Sequence, residues 1–170
     1  MIKIQSEKPN LHADAIEALY DRTFGPGHFA KTAERLREGT ERVVDCCQVA
    51  LNADRVVGAC RIWPLVIGLE EVPAVFVGPL AVEEDQRGKT LGQDLTRAAL
   101  AAAGHAGWPL AVIVGAPEYF GPVGFKPVPP GQLTLPGPQD PSRILYCGLA
   151  ANAVLPVGEV KTAMPRLSLV

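Results

Sequence analysis

The sequence predicts a single α/β domain in which helices flank a mixed, splayed central β-sheet. Three segments rich in β-branched residues, at 43–51, 56–67 and 72–82, follow one another with turn residues between them. A helical pattern then separates the third segment from another apolar segment at 110–114, a spacing that suits a right-handed crossover between parallel strands. Finally, Gly78-Pro79 interrupts the third segment, where proline cannot continue a normal ladder of hydrogen bonds.

The first 40 residues predict one strand and two helices. Residues 2–5 can form a short strand, and Pro9 offers a helix start whose apolar positions recur at helical spacing as far as Phe24. The Gly-Pro-Gly sequence that follows ends this helix. A second helical pattern then runs to Gly39, and its apolar side is formed by Phe29, Ala33 and Leu36. The two helices predict either a lid or a simple pair on the surface.

The β-rich segments predict an antiparallel meander, because polar turn residues at 52–55 and 68–71 separate them. The interruption at Gly78-Pro79 predicts a bulge or a splay point in the third strand. A strand broken there leaves the backbone N–H and C=O groups of Leu80 and Val82 available to something other than a neighbouring strand.

The crossover helix is predicted to begin after a charged turn, at Leu91, and to end near Gly104. The strand at 110–114 should then pair in parallel with the third strand of the meander, which makes the sheet mixed. A short helical turn at 116–120, a proline-rich connection and one more strand at 143–149 complete the pattern. The tail after residue 150 has only weak periodicity.

Composition excludes several classes of protein. The chain of 170 residues is long enough for one core, and 48% hydrophobic with 20% charged residues is ordinary for a folded domain. A formal net charge of −2 argues against nucleic acid as a partner. Residues 1–7 lack the apolar core of a signal peptide and no apolar run reaches membrane-spanning length, so we expect a cytoplasmic protein without a membrane partner.

The four cysteines predict no metal site and no redox motif. They show neither C-x-x-C spacing nor a nearby pair of histidines, and we expect buried, reduced thiols. These residues are Cys46, Cys47, Cys60 and Cys147.

The junction at 80–92 predicts an anion site, because a strand there leads into the N-terminus of a helix, where backbone N–H groups have no partner within the helix. Gly88-Lys89-Thr90 copies the end of a P-loop, but Glu83 stands where the first glycine of that loop is needed, and two further carboxylates follow it. A triphosphate would be repelled there. The remaining readings are a pyrophosphate cradle and glycines that only shape a loop.

The pyrophosphate reading rests on a resemblance. Residues 87–92, Arg-Gly-Lys-Thr-Leu-Gly, resemble the Arg/Gln-x-x-Gly-x-Gly/Ala signature of the GNAT superfamily of acyl-CoA-dependent N-acyltransferases. The meander and the stretch 114–125, which looks like the Tyr-x-x-x-Gly-Phe ending of that family, extend the resemblance over about residues 1–128, with a proline-rich connection, strand and tail at 129–170. The resemblance implies a GNAT-like fold over one domain, 1–170, with acetyl-CoA as co-substrate.

The resemblance also implies roles for particular residues. The pantetheine arm of CoA would pair with the strand after the break, and the signature would cradle the pyrophosphate. The implied cofactor-binding residues are Leu80, Ala81, Val82, Arg87, Gly88, Lys89, Thr90, Leu91, Gly92 and Phe120. No metal is implied. Thr90 replaces the usual middle glycine, and its hydroxyl is expected to cap the helix or to donate to phosphate.

The catalytic residue departs from the family pattern. Phe120 stands where many such enzymes carry the tyrosine that protonates the departing thiolate, so Tyr119 is the candidate acid, with a packing role as the alternative. The expected reaction is direct attack by a neutral amine in a ternary complex. Candidates for the base, by chemistry only, are Glu83, Glu84, Asp45 and His28; Arg61 and Trp63 could contact the acceptor or simply pack.

The preferred function is therefore transfer of an acyl group to the amine of a small molecule or a peptide. The alternatives are a catalytically idle acyl-CoA-binding or regulatory module, and an interaction domain that works through the late strand and tail. A homodimer through those same late segments is also plausible.

Overall fold

The computed structural model describes residues 1–25, 35–137 and 139–163, and within them it confirms a mixed α/β fold. Strand β1 (Ile2–Ser6) leads into helix α1 (Pro9–Phe24). The meander follows as β2 (Gln48–Asn52), β3 (Arg55–Ile67) and β4 (Val72–Val82). Helix α2 (Leu91–His105) then crosses over to β5 (Leu110–Val114).

The second half adds one short helix and four strands. Helix α3 (Pro117–Phe120) follows β5 at once. Two-residue strands β6 (Lys126–Pro127) and β7 (Leu133–Thr134) lie within the proline-rich connection. The last strands are β8 (Ile144–Gly148) and β9 (Gly158–Thr162).

The strands of the described residues join in one mixed sheet with the order β1-β2-β3-β4-β5-β8-β6. The meander is antiparallel, and β4 and β5 are parallel as the crossover predicted. Strand β9 pairs with the end of β3 and also with β7. The weak periodicity of the tail gave no indication of β9, because Val160 is the one apolar side chain in its five residues, Gly-Glu-Val-Lys-Thr.

One prediction about local structure is wrong, and another falls mostly on residues that the structure does not describe. Residues 43–47 do not extend β2: Val44–Cys46 form a 3₁₀ turn, and pairing with β1 and β3 begins only at Gln48. The second helical pattern falls mostly on residues 26–34, which lie outside the described residues, as do Phe29 and Ala33. Leu36 is described, and it is buried in the core.

The core lies on both faces of the sheet. Helix α2 covers one face, and Gly58 on β3 permits its close approach, because a Cβ there would lie 2.7 Å from Leu95 Cδ1. Helix α1 covers the other face through Ile16, Leu19 and Tyr20. All four cysteines are free thiols, and three of them are buried. Within the described ranges, no helix is long and apolar enough to cross a membrane.

Candidate active site

Strands β4 and β5 separate in the middle of the sheet. They pair at Val75 with Ala111 and at Phe76 with Val112. The register between β3 and β4 then shifts, from Ile62 opposite Val77 to Cys60 opposite Leu80, and the Gly78–Pro79 peptide bond between these pairs is cis. The splay predicted at Gly78-Pro79 is therefore present in the fold.

The second half of β4 has one paired side and one open side. The Glu83 amide donates to the Val57 carbonyl at 2.8 Å, and residues of an antiparallel strand alternate between facing the partner strand and facing away. Ala81 accordingly directs its backbone groups toward β3. Leu80 and Val82 direct their N–H and C=O groups toward the side where β5 has moved away.

Two aromatic side chains hold the backbone at the splay point. The Tyr20 hydroxyl donates to the Pro79 carbonyl at 2.7 Å, and Trp63 Nε1–H donates to the Gly78 carbonyl at 2.7 Å. The sequence allows Trp63 either to contact an acceptor or to pack, and it assigns no role at the splay point to Tyr20. The sequence could not predict either hydrogen bond, because each joins residues that meet only when the sheet and helix α1 have packed together.

Arg61 lies next to Tyr20, in a buried network of ion pairs. Its guanidinium donates to Glu7 Oε1 at 3.0 and 3.1 Å, pairs with Glu17 and lies 5.5 Å from the centroid of the Tyr20 ring. The second oxygen of Glu7 accepts from Arg42 Nε at 2.7 Å. Arg61 therefore supports the splay point through Tyr20, whose ring it contacts, and does not line the cavity described next.

A cavity of about 860 Å³ fills the gap between β4 and β5. One wall is formed by residues 76–82 of β4, and the other by residues 113–116, Tyr119 and Phe120. The remaining described lining residues are Thr23, Phe24, Arg37, Arg87, Gln139 and Arg143. Sequence reasoning missed Thr23, Arg37, Gln139 and Arg143, since nothing in their local pattern marks them as neighbours.

The predicted signature residues lie at the start of α2. Arg87 lines the cavity, and its Nε–H donates weakly to the Val82 carbonyl at 3.4 Å. Gly88, Lys89 and Thr90 are exposed, while Leu91 and Gly92 are buried in the first turn of α2. Thr90 does not cap the helix with its side chain as predicted: its hydroxyl donates to the Asp94 carboxylate at 2.9 Å.

The Tyr119 hydroxyl lies against the signature. A Cβ at Gly92 would collide with this hydroxyl, so glycine is what allows the two elements to meet. The Tyr119 ring packs edge-on against Phe120 at 4.8 Å, and burial, followed by the Asp94 charge, raises the pKa of Tyr119. Phe120 is buried against Gly115 and Phe125. Tyr119 and Phe120 thus share one wall of the cavity.

The candidate bases lie elsewhere. Glu83 pairs with Arg22 and with Arg55, and neither Glu83, Glu84 nor Asp45 lines the cavity. His28 falls outside the described residues. Among the described residues that do line the cavity, the formally charged ones are all arginines.

Comparisons with known proteins agree with this geometry. Residues 13–115 match the Acetyltransferase (GNAT) family. No curated protein matches the chain. A GNAT family N-acetyltransferase from Escherichia coli, YhbS, solved in complex with CoA, is 28% identical with a TM-score of 0.80, over 95% of this chain and 89% of that one.

Two other solved structures share the fold at lower identity. A GNAT family acetyltransferase from Brucella melitensis in complex with acetyl-CoA is 22% identical, with a TM-score of 0.72 over 96% of each chain. An acetyltransferase of the GNAT family from Staphylococcus aureus is 13% identical, with a TM-score of 0.57 over 88% of this chain and all of that one.

Proposed function

Because the chain belongs to the acetyltransferase (GNAT) family, we propose that it transfers an acetyl group from acetyl-CoA to an amine. The observation that carries the proposal is the open side of β4, where Leu80 and Val82 direct backbone groups toward a cavity that begins beside the N-terminus of α2. The Escherichia coli relative, which is similar over nearly its whole length, contains CoA and supports this choice of co-substrate.

The cavity offers the groups that CoA requires. The amides of a pantetheine arm can pair with the open edge of β4 as an added strand does, and a pyrophosphate suits the N–H groups at the start of α2. Asp94 carries a negative charge in that first turn, but the Thr90 hydroxyl and the Arg97 guanidinium, at 2.9 and 3.1 Å, offset it. The proposed cofactor-binding residues are Leu80, Ala81, Val82, Arg87, Gly88, Lys89, Thr90, Leu91, Gly92 and Phe120. Ala81 directs its backbone groups toward β3 and would contact the arm only as a lining residue.

When bound, acetyl-CoA supplies the acyl group: the amine nitrogen bonds to the acyl carbon as the carbon–sulfur bond breaks, nitrogen releases one proton and the thiolate takes one. Our proposed donor of that last proton is Tyr119, although its hydroxyl lies against Gly92, at the end of the cavity where α2 begins rather than at the splay point. A tyrosine hydroxyl is protonated at neutral pH even without the rise in pKa that burial causes here, so it has the proton that a general acid donates. Phe120 holds the Tyr119 ring edge-on at 4.8 Å and so limits where the hydroxyl can point.

Calorimetric titration with acetyl-CoA tests the binding half of the proposal. The wild-type protein should bind, and Arg87→Gln should weaken binding by about tenfold, because a hydrogen bond to a charged group is lost. Lys161→Gln is the matched control, since Lys161 is a surface cation of β9 that pairs with Glu159 and does not line the cavity. Absence of binding to the wild-type protein at high micromolar acetyl-CoA would falsify the proposal.

Thiol release across a panel of amines tests the catalytic half. Release that depends on the amine supports transfer, and Tyr119→Phe should lower kcat while acetyl-CoA affinity stays within about twofold. Full activity in that variant would remove Tyr119 from the chemistry and leave it as a packing residue beside Gly92.

A second candidate is a catalytically idle acyl-CoA-binding or regulatory module. It is favoured by Phe120 in place of the family's usual tyrosine and by the lack of a carboxylate among the described lining residues. Binding of acetyl-CoA with no thiol release for any amine would select it. A single domain over 1–170, a homodimer and a cytoplasmic location remain predictions of the sequence.

A further inference from the structure

We propose that the amine acceptor carries an oxyanion, a carboxylate or a phosphate, which Arg143 binds at the far rim of the cavity. This inference rests on the proposed function, because it names the substrate class of the same site. The cavity, its charges and the backbone bonds that place Arg143 carry it.

The cavity divides into two ends along β4. The signature follows Val82, so a pantetheine arm would run back along β4 from Val82 toward the splay point at Gly78. Beyond Gly78, β4 and β5 pair again at Phe76 with Val112 and close the base of the gap. An acceptor must therefore approach from the remaining rim, which is lined by Thr23, Phe24, Arg37, Gln139 and Arg143.

Arg143 is fixed at that rim by its backbone. It ends the 3₁₀ turn Pro141–Arg143, its N–H donates to the Asp140 carbonyl at 3.0 Å, and its own carbonyl accepts from the Gly115 amide at 2.9 Å. Gly115 directly follows β5, so this bond anchors Arg143 to the wall of the cavity that faces β4. Arg143 therefore lines the cavity from a backbone position that is fixed beside its wall.

Among the described residues, the charged residues that line the rim are Arg37 and Arg143, and no carboxylate lines the cavity there. The nearby Asp140 carboxylate interacts electrostatically with Arg143, but it accepts from the Ser142 amide at 3.0 Å and from the Ser142 hydroxyl at 2.7 Å and does not line the cavity. In a chain with net charge −2, a cavity lined by arginines selects anions. Guanidinium groups bind carboxylate and phosphate through paired N–H donors.

Matched acceptors test the inference. Amino acids are compared with their carboxamides, and aminoalkyl phosphates with the corresponding amino alcohols, so that the two pairs distinguish carboxylate from phosphate. We expect kcat/KM to be about 10–100-fold higher for the anionic member of one pair, as the loss of a charged hydrogen bond implies. Equal kcat/KM within both pairs would overturn the inference.

Variants separate this site from the cofactor site. Arg143→Gln should remove the preference for the anion, measured as the ratio of kcat/KM between the two members of a pair, and leave the acetyl-CoA Kd within about twofold of wild type. Arg143→Glu should favour the neutral member, and Lys161→Gln should change nothing. If Arg143→Gln weakens acetyl-CoA as much as Arg87→Gln does, Arg143 belongs to the cofactor and the inference is wrong.

A binding measurement that does not depend on turnover completes the test. The anionic and neutral members of the preferred pair are titrated into protein saturated with CoA, and only the anionic member should bind, with affinity lost in Arg143→Gln. The two levels of failure are distinct. If the protein neither binds acetyl-CoA nor releases thiol with any amine, the proposed function and this inference are both wrong. If it releases thiol equally well from acceptors with and without an oxyanion, only this inference is wrong.

Discussion

Gly92→Ala is expected to destabilise the protein only when the Tyr119 hydroxyl is present. The new Cβ would collide with the hydroxyl oxygen, while the ring carbon that bears it would lie 3.4 Å away, an ordinary contact. To escape, the half-exposed ring must swing away and give up its edge-on packing on Phe120 at 4.8 Å. An aromatic pair contributes about 0.5–1.5 kcal/mol and overpacking costs about 1–3 kcal/mol, so the penalty is about 1–3 kcal/mol.

A double-mutant cycle isolates this term. Alanine in a helix gains up to about 1 kcal/mol over glycine, and that gain is present whether or not the hydroxyl exists. In the Tyr119→Phe background, Gly92→Ala should therefore be neutral or stabilising, and the coupling energy should be about 1–3 kcal/mol. The free energy of unfolding, measured by urea denaturation for the four proteins, gives the coupling directly.

Gly88→Ala is the matched control. Gly88 has a φ of +80° and nothing within 4 Å of an added Cβ, so its substitution costs backbone strain of about 1 kcal/mol and no collision. Its effect should be the same with and without Tyr119→Phe. A cost for Gly92→Ala that is equal in both backgrounds, within about 0.5 kcal/mol, would refute the placement of Tyr119 against the start of α2.

Three further predictions concern the support of the site. Arg61→Met should lower the free energy of unfolding by about 3–5 kcal/mol, because the fully buried Glu7 carboxylate loses its partner on one oxygen; thermal unfolding checks this, and a change below about 1 kcal/mol contradicts it. Trp63→Phe should cost about 1 kcal/mol and weaken acetyl-CoA binding, since the Gly78 carbonyl loses its donor; titration of the folded variant decides between a positioning role and packing alone. Burial raises the pKa of Cys47 to about 12, so above about pH 9 the thiol ionises in the unfolded protein but not in the folded one. The free energy of unfolding should therefore fall as the pH rises toward 12. Denaturation measured from pH 8 to 11 should show a shallower fall for Cys47→Ala than for the wild type.

The sequence predicted the part of the fold that depends on local pattern. Turn residues, β-branched segments and the helical repeat before Gly104 indicated α1, α2, β1, β3, β4 and β5 with nearly correct bounds, and β2 with a start at 43 instead of 48. The predictions were wrong for residues 43–47 and silent for β9. At 43–47 the local composition suits a strand, but the chain turns before it reaches its partner, and β9 exists only because β3 and β7 offer it edges to pair with.

The sequence by itself determined the splayed strand and the helix start, because Gly78-Pro79 and residues 87–92 act through the backbone of their own neighbours. Only the tertiary structure decided what surrounds them. Tyr20 and Trp63 reach the splay point from a helix and a neighbouring strand, Tyr119 meets Gly92 across the gap, and Arg143 reaches the rim through a bond to Gly115. Each of these contacts joins residues at least 15 positions apart, and strand register and helix packing, rather than local pattern, bring such residues together.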